Sequence, residues 1–195
     1  MADIDQKLIQ KAQRGDRRAF GKLVKKYRNK VLYLAYDLLG NYDDAQDVAQ
    51  SVFLRVFSGI RNFEGKSSFS TWLYRITVNL SIDFKRSKYR RSSVSIDKNI
   101  RDEDDPMPGK IILRDKDKDP LERLEIKDLN EQIENALDTL SEQQREAFVL
   151  RHYHGMSMDE ISKILECKPG TVRSHLFRAI NKLREYLKED ENMQN

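Results

Sequence analysis

The sequence predicts an all-α protein built as two small helical domains joined by a flexible linker. Three observations predict it. Apolar residues recur three and four apart through residues 17–84 and again through 121–187, the period of a helix with one buried face. Gly and Pro number only 8 and 4 in 195 residues, too few for an all-β fold rich in tight turns. Between the two periodic stretches the pattern vanishes, which separates a domain over residues 1–90 from one over 121–195 by a linker over 91–120.

In the first block, a short helix around residues 4–13 precedes a longer one whose Phe20, Leu23, Val24, Tyr27, Val31, Leu34 and Leu38 share a face. Asp16 stands where its carboxylate would cap that helix. Gly40-Asn41 interrupts, and a further helix from about Asp43 turns Ala45, Val48, Ala49, Val52, Phe53, Val56 and Ile60 inward. A last helix begins near Ser70, with Trp72, Leu73, Ile76, Leu80 and Phe84 in phase.

The linker mixes serines with an acidic run, Asp102 to Asp105, two prolines and alternating charges, around a small apolar island at Ile111-Ile112-Leu113. Helical order resumes near Leu121, with Leu124, Leu129, Ile133, Ala136, Leu137 and Leu140 on one face. Ser141 to Gln144 and Ser157 to Glu160 are both capping boxes, each opening a helix, and Gly155 ends the first of the two. Cys167-Lys168 turns the chain, Pro169 suits the first turn of the last helix, and Val172, Leu176, Ile180, Leu183 and Leu187 form its buried stripe.

Charge is unevenly spread. The net is +4, yet residues 1–90 hold 18 Lys and Arg against 9 Asp and Glu, whereas residues 121–195 hold 11 against 15. The first block therefore reads as a polyanion binder. Inside the acidic second block, Cys167 to Arg184 has five basic residues and no acid. One cysteine cannot form an internal disulfide, no apolar stretch approaches the ~18 residues of a membrane span, and Asp3, Asp5 and Lys7 break up any leader. A cytoplasmic protein with no membrane insertion is expected.

Two short helices joined by a tight turn, the second basic, read as a helix-turn-helix. Val172, Leu176 and Ile180 would bury one face, leaving Arg173, Ser174, Phe177, Arg178 and Asn181 for the major groove. Arg can bond guanine bidentately, and Ser reaches bases or phosphates. Gly170 and Thr171 sit at the helix N-terminus, whose N–H groups favour phosphate, and Lys168 and Lys182 suit phosphate better than bases. In the first block, Phe63-Glu64-Gly65-Lys66-Ser67-Ser68-Phe69-Ser70 is a small polar loop between aromatics, followed by a helix with Arg75 and Asn79 one turn apart and then Lys85, Arg86, Lys88, Arg90 and Arg91. Rings beside cations suit unpaired bases, and a loop can pocket an extruded one. Trp72, which starts the apolar stripe, reads as core. Asp47 and Gln50 project one turn apart, and from spacing alone they read as a solvated face.

The strings D-D-A-Q-D-V-A-Q-S-V-F, T-W-L-Y-R-I-T-V-N and, near the C-terminus, G-T-V-R-S-H-L-F-R-A occur together and in one order, and with them the chain resembles an extracytoplasmic-function (ECF) sigma factor over about residues 5–90 and 121–188. The resemblance implies a sigma region 2 bundle and a sigma region 4 helix-turn-helix. It implies that Asp44, Asp47, Gln50, Phe53 and Arg55 dock on the coiled coil of the largest subunit of core RNA polymerase. It implies that Lys66, Ser67, Phe69, Ser70, Trp72, Arg75, Asn79, Asp83 and Arg86 open and read the −10 element on the non-template single strand, with Asn79 foremost. The −35 duplex would be read by Arg173, Ser174, Phe177 and Arg178, supported by Lys168, Gly170, Thr171 and Arg151, while His175 stands where several relatives carry Arg. The linker would run near the RNA exit path, and an anti-sigma factor is implied as a candidate partner. No metal, cofactor or catalytic site is expected.

Two rivals differ in class. Gly155 to Leu183 also resembles the DNA-binding domain of response regulators, but the first block lacks the strands of a receiver domain. An enzyme would need a phosphate loop, a dinucleotide fingerprint or a zinc motif, none of which is present. His152 and His154, two apart on a helix, point to different faces, and Cys167 reads as packing.

Overall fold

The computed structural model describes residues 2–92 and 132–194, with side chains placed over 5–91 and 132–188. The described residues are helical, contain no strand, and fall into two compact units. The linker residues 93–120, with their acidic run and the Ile111-Ile112-Leu113 island, lie outside them, as do Leu121, Leu124 and Leu129.

The first unit holds α1 (Ala2–Gln13), α2 (Arg17–Leu39), α3 (Tyr42–Gly59), a 3-10 turn (Ile60–Asn62) and α4 (Phe69–Ser92). Its boundaries follow from capping chemistry. The Asp16 carboxylate accepts the N–H groups of Arg18 and Ala19 at 2.8 and 3.0 Å, and these bonds hold its pKa below the ordinary value. Gly40 ends α2 at φ 75°, and the Asn41 side chain accepts the Asp44 N–H at 2.9 Å to open α3 at Tyr42. Ser68 opens α4 by accepting the Thr71 N–H at 3.1 Å. α4 then continues through Ser92, two residues past the expected domain end at 90.

Leu23, Tyr27, Val31, Ala35, Ala45, Val48, Val52, Val56, Ile60, Phe69 and Leu73 form the core of this unit. The stripe expected on α4 is rotated. Ile76, Leu80 and Phe84 are only half-buried at its margin, while Thr77 and Ser81 are buried. Their hydroxyls donate to the carbonyls one turn back, Leu73 and Thr77, at 3.0 and 2.9 Å, so two polar residues pass into the core satisfied. Phe20 and Val24, expected inside, are half-buried, and Phe20 packs edge-on against the exposed ring of Phe57 at 5.0 Å.

The second unit holds α5 (132–138), α6 (Glu142–Phe148), a wider π-type turn (Val149–Tyr153), the body of α7 (Met158–Ile164) and α8 (Pro169–Gln194). Both capping boxes form: Ser141 accepts the Gln144 N–H while Gln144 accepts that of Ser141, and Ser157 and Glu160 repeat the exchange. Leu137, Leu140 and Ala179 make a core against which Phe148 and Leu183 pack. Two expected core residues are exposed. Ile133 is at 36%, and Leu187 is at 43%, one turn of α8 beyond Leu183. Arg145, given no role by the sequence pattern, is buried and bonds Asp138 and Glu134 at 2.7 and 3.2 Å, tying α6 to α5.

Asp5 of α1 accepts from Lys26 Nζ at 2.5 Å and Tyr27 Oη at 2.8 Å, which fastens α1 to α2. Burial alone would raise the Asp5 carboxyl, but the hydrogen bonds from Lys26 and Tyr27 and the Lys26 charge outweigh it and hold the group below its ordinary 3.8. Tyr27 moves the other way, raised by burial and then by its hydrogen bond to Asp5. Because the folded pKa of Asp5 is depressed, its stabilisation is present above the unfolded value and lost as pH falls through the lower folded one. Asp5→Asn is expected to cost about 1 kcal/mol at neutral pH, a figure kept small by the partial exposure of Lys26. Denaturant unfolding of variant and parent should converge below about pH 4; a gap unchanged down to pH ~3 would assign the effect to packing instead.

Candidate nucleic-acid interface

The loop between the 3-10 turn and α4 is anchored at both ends. At its start, Gln13 Nε2 of α1 donates to the Phe63 carbonyl at 2.8 Å. At its end, Ser68 Oγ lies 2.7 Å from Thr71 Oγ1 and 2.9 Å from Ser70 Oγ, a hydroxyl cluster closing the first turn of α4. Beneath runs an aromatic cluster. Tyr27 meets Phe69 edge-on at 5.4 Å, Phe69 meets Phe63 at 5.9 Å, and Trp72 lies 5.0 Å from Phe63 and 5.8 Å from Phe69. Gly59 ends α3 where a Cβ would meet the Trp72 ring at 3.4 Å. Phe69 is thus 6% exposed and supports the loop from inside. Trp72 is half-buried, as its position in the stripe suggested.

What the loop does present is polar. Lys66 is exposed and pairs with Glu64 at 2.5 Å, while Ser67 and Ser70 are half-buried. Gly65 turns the loop at φ 73°. Along α4, Arg75, Asn79, Asp83 and Arg86 succeed one another at spacings of four, four and three, and Asn79, Asp83 and Arg86 are exposed.

On α8, Val172, Leu176 and Ala179 are buried and Ile180 is half-buried, so the sequence missed only Ala179. The opposite side carries Lys168, Gly170, Thr171, Arg173, Ser174, Phe177 and Arg178, all exposed, with the Phe177 ring at 67%. Ser174 donates back to the Gly170 carbonyl at 3.0 Å. His175 and Asn181 are half-buried at the margin. The turn into α8 is made at Glu166, whose φ of 51° is left-handed without being glycine, one residue before the expected Cys167-Lys168. Arg151 is exposed at the π turn and donates to the Met156 carbonyl at 2.8 Å. Lys182, expected at phosphate, donates instead to the Thr139 carbonyl. Burial, then Glu146, push the Cys167 thiol up, which makes it a poor nucleophile.

A groove of about 470 Å³ runs between α2 and α3, floored by Phe20, Val24, Leu32 and Phe53 and rimmed by Asp47, Gln50, Leu54 and Phe57. Asp47, Gln50 and Phe53 share it, but Asp44 and Arg55 do not line it. Asp44 pairs with Lys88 of α4 at 2.6 Å. Leu54 and Phe57, 65% and 50% exposed, were missed by the sequence reading. Their signal was apolar character out of the buried phase set by Val52 and Val56.

Two family models match the chain in order: Sigma-70 region 2 over residues 23–91 and Sigma-70, region 4, over residues 130–183. The RNA polymerase sigma-H factor of Pseudomonas aeruginosa is 37% identical over 177 residues, covering 90% of this chain and 89% of the relative. The ECF RNA polymerase sigma-E factor of Escherichia coli is 34% identical over 175 residues, 90% of each. The chain belongs to the ECF sigma factors.

The solved structure of CnrH in complex with the cytosolic domain of CnrY agrees in fold, with a TM-score of 0.68 and 26% identity over 96% of this chain and 99% of that one. This sigma factor is therefore a transcription initiation factor rather than an enzyme, and it directs core RNA polymerase to promoter DNA. No helix among its described residues is long and apolar enough to cross a membrane.

Gly65 offers a test of the sigma factor's loop. A Cβ there meets nothing within 4 Å, so Gly65→Ala adds only left-handed strain. About 1 kcal/mol of stability should be lost in denaturant unfolding, with Gly65→Asn losing less because Asn tolerates this conformation.

Proposed function

We propose that the two units divide promoter recognition between them. The first reads the −10 element. Unpaired bases of the non-template strand enter the Phe63–Phe69 loop and lie along Asn79, Asp83 and Arg86, with Arg75 beside them and Lys66 on phosphate. Phe69 and Trp72 act from beneath by holding the loop's shape. The second reads the −35 element as duplex. α8 enters the major groove, Arg173 and Arg178 bond bases, Ser174 and Phe177 make close contacts, and Lys168, Gly170, Thr171 and Arg151 hold phosphates. The observation that carries this reading is that α4 and α8 each bury one face in their own unit's core and keep an exposed polar face for DNA.

Docking on core polymerase falls to the α2–α3 groove. Exposed Leu54 and Phe57 beside Asp47 and Gln50 give the apolar centre and polar rim of a protein interface. Asp44 and Arg55 flank it. The factor works in the cytoplasm, and the region-2 and region-4 domains over 1–90 and 121–195 are joined by the linker over 91–120. Restraint by an anti-sigma partner belongs to the same reading, supported by CnrH having been solved with the cytosolic domain of CnrY.

Runoff transcription with purified core polymerase over a promoter library should give promoter-specific transcripts that need this protein. Asn79→Ala should reduce permanganate reactivity of the −10 region more than duplex binding. Arg173→Ala should cost about 1–3 kcal/mol in −35 recognition and spare melting once bound. Identical defects in the two variants would contradict the division. Leu54→Ala should leave unfolding nearly unchanged, Phe57→Ala should lose only the contact of its ring with Phe20, about 1 kcal/mol, and each should weaken core binding about tenfold; unaltered core affinity would move the docking site elsewhere.

A further inference from the structure

From Arg17 to Tyr36, α2 carries seven basic residues and no acid. Lys26 is committed to Asp5, and Arg28 lines the groove toward α3. Arg18, Lys22 and Lys25, spaced four and three apart, lie on the face opposite buried Ala19, Leu23 and Tyr27. All three are exposed, and they form no ion pair among the described residues. Like charges one turn apart on a helix repel each other, so nothing in this unit's own stability explains the row.

The row continues around the corner into α1. Lys11 and Arg14 are exposed, and Lys11 and Arg18 both act on the carboxylate of Asp16, which places them near each other. Asp16 itself is committed to the backbone of α2. The same corner adjoins the loop, through the bond from Gln13 to the Phe63 carbonyl.

We infer that the outer face of α1 and α2 (Lys11, Arg14, Arg18, Lys22 and Lys25) is a further DNA-contact surface, gripping the sugar-phosphate backbone beside the bases taken by the Phe63–Phe69 loop. The inference rests on the −10 reading above. Two features favour DNA over an acidic protein. Gly21 and Asn29 complete the face, so it has no apolar centre of the kind a protein interface buries. Arg18 to Lys25 spans about 10 Å of helix, long enough for the row to meet successive phosphates of one strand. Such contacts position the strand without reading its sequence.

The test is the salt dependence of promoter complexes made by holoenzyme, assembled from core polymerase and the full chain, over about 50–200 mM salt. The triple variant Arg18→Gln, Lys22→Gln, Lys25→Gln should lower the log–log slope by about 2 to 3, one contact for each charge removed. The loss should be equal on promoters with altered −10 sequences, core affinity should be unchanged, and Arg, Lys and Lys replaced by Lys, Arg and Arg should restore the slope. An unchanged slope overturns the inference. A loss of core affinity also overturns it, assigning the face to an acidic surface of the polymerase. Wild-type holoenzyme that formed no promoter-specific complexes would remove the −10 reading, and this inference with it, an outcome separate from a working wild type whose variant keeps its slope.

Discussion

A helix that meets nucleic acid has only one face to give the core, and the two helices assigned to DNA here both work under that constraint. α8 meets it simply. Val172, Leu176 and Ala179 are buried, and the opposite side is free of acids from Lys168 to Arg184. α4 has a harder task, because its inner side must accommodate α2 and α3 at once. It does so by letting Thr77 and Ser81 inside with their hydroxyls returned to the helix backbone. Both residues are small, which lets the neighbouring helices approach, and neither brings an unpaired polar atom with it.

The loop ahead of α4 depends on a chain of contacts reaching back to α1. Asp5 holds the Tyr27 hydroxyl, the Tyr27 ring meets Phe69, and Phe69 meets Phe63 and Trp72. Gln13 fixes the Phe63 carbonyl from the other end of α1. A loop with a glycine and two serines loses much conformational freedom on ordering. Anchoring it from α1 places that cost in folding rather than in DNA binding. α1 precedes the stretch matched by the region-2 family model, yet it supplies two of the bonds on which the loop's geometry rests.

Much of this was legible in the sequence because it is local. Asp16, Ser141 with Gln144, and Ser157 with Glu160 act within four residues of themselves, and each caps the helix its spacing announced. Val172 and Leu176 follow from period alone. What escaped is what needs two elements at once. The pairing of Asp44 with Lys88 crosses 44 residues, and it takes Asp44 out of the groove where its neighbours Asp47 and Gln50 lie. The groove exists only because Phe20 and Val24 of α2 stop short of full burial beside α3. The left-handed turn at Glu166 and the buried Arg145 carry no residue-type signal, since glycine is the usual mark of the first and an apolar residue of the second.

The distribution of charge then orders the surfaces by partner. The α2–α3 groove joins exposed apolar side chains to one acid and one arginine, Asp47 and Arg28. Such a site gains from removing apolar surface from water and changes little with salt. The faces of α8 and of α1–α2 are cationic, and α4 adds Arg86 beyond Asn79 and Asp83. DNA contacts proposed for these faces draw on counterion release and weaken steeply as salt rises. A factor that must stay on the polymerase while searching for and leaving promoters gains from this separation. Under the proposed division of surfaces, changes in ionic conditions act on the DNA contacts first and leave assembly with the polymerase largely intact.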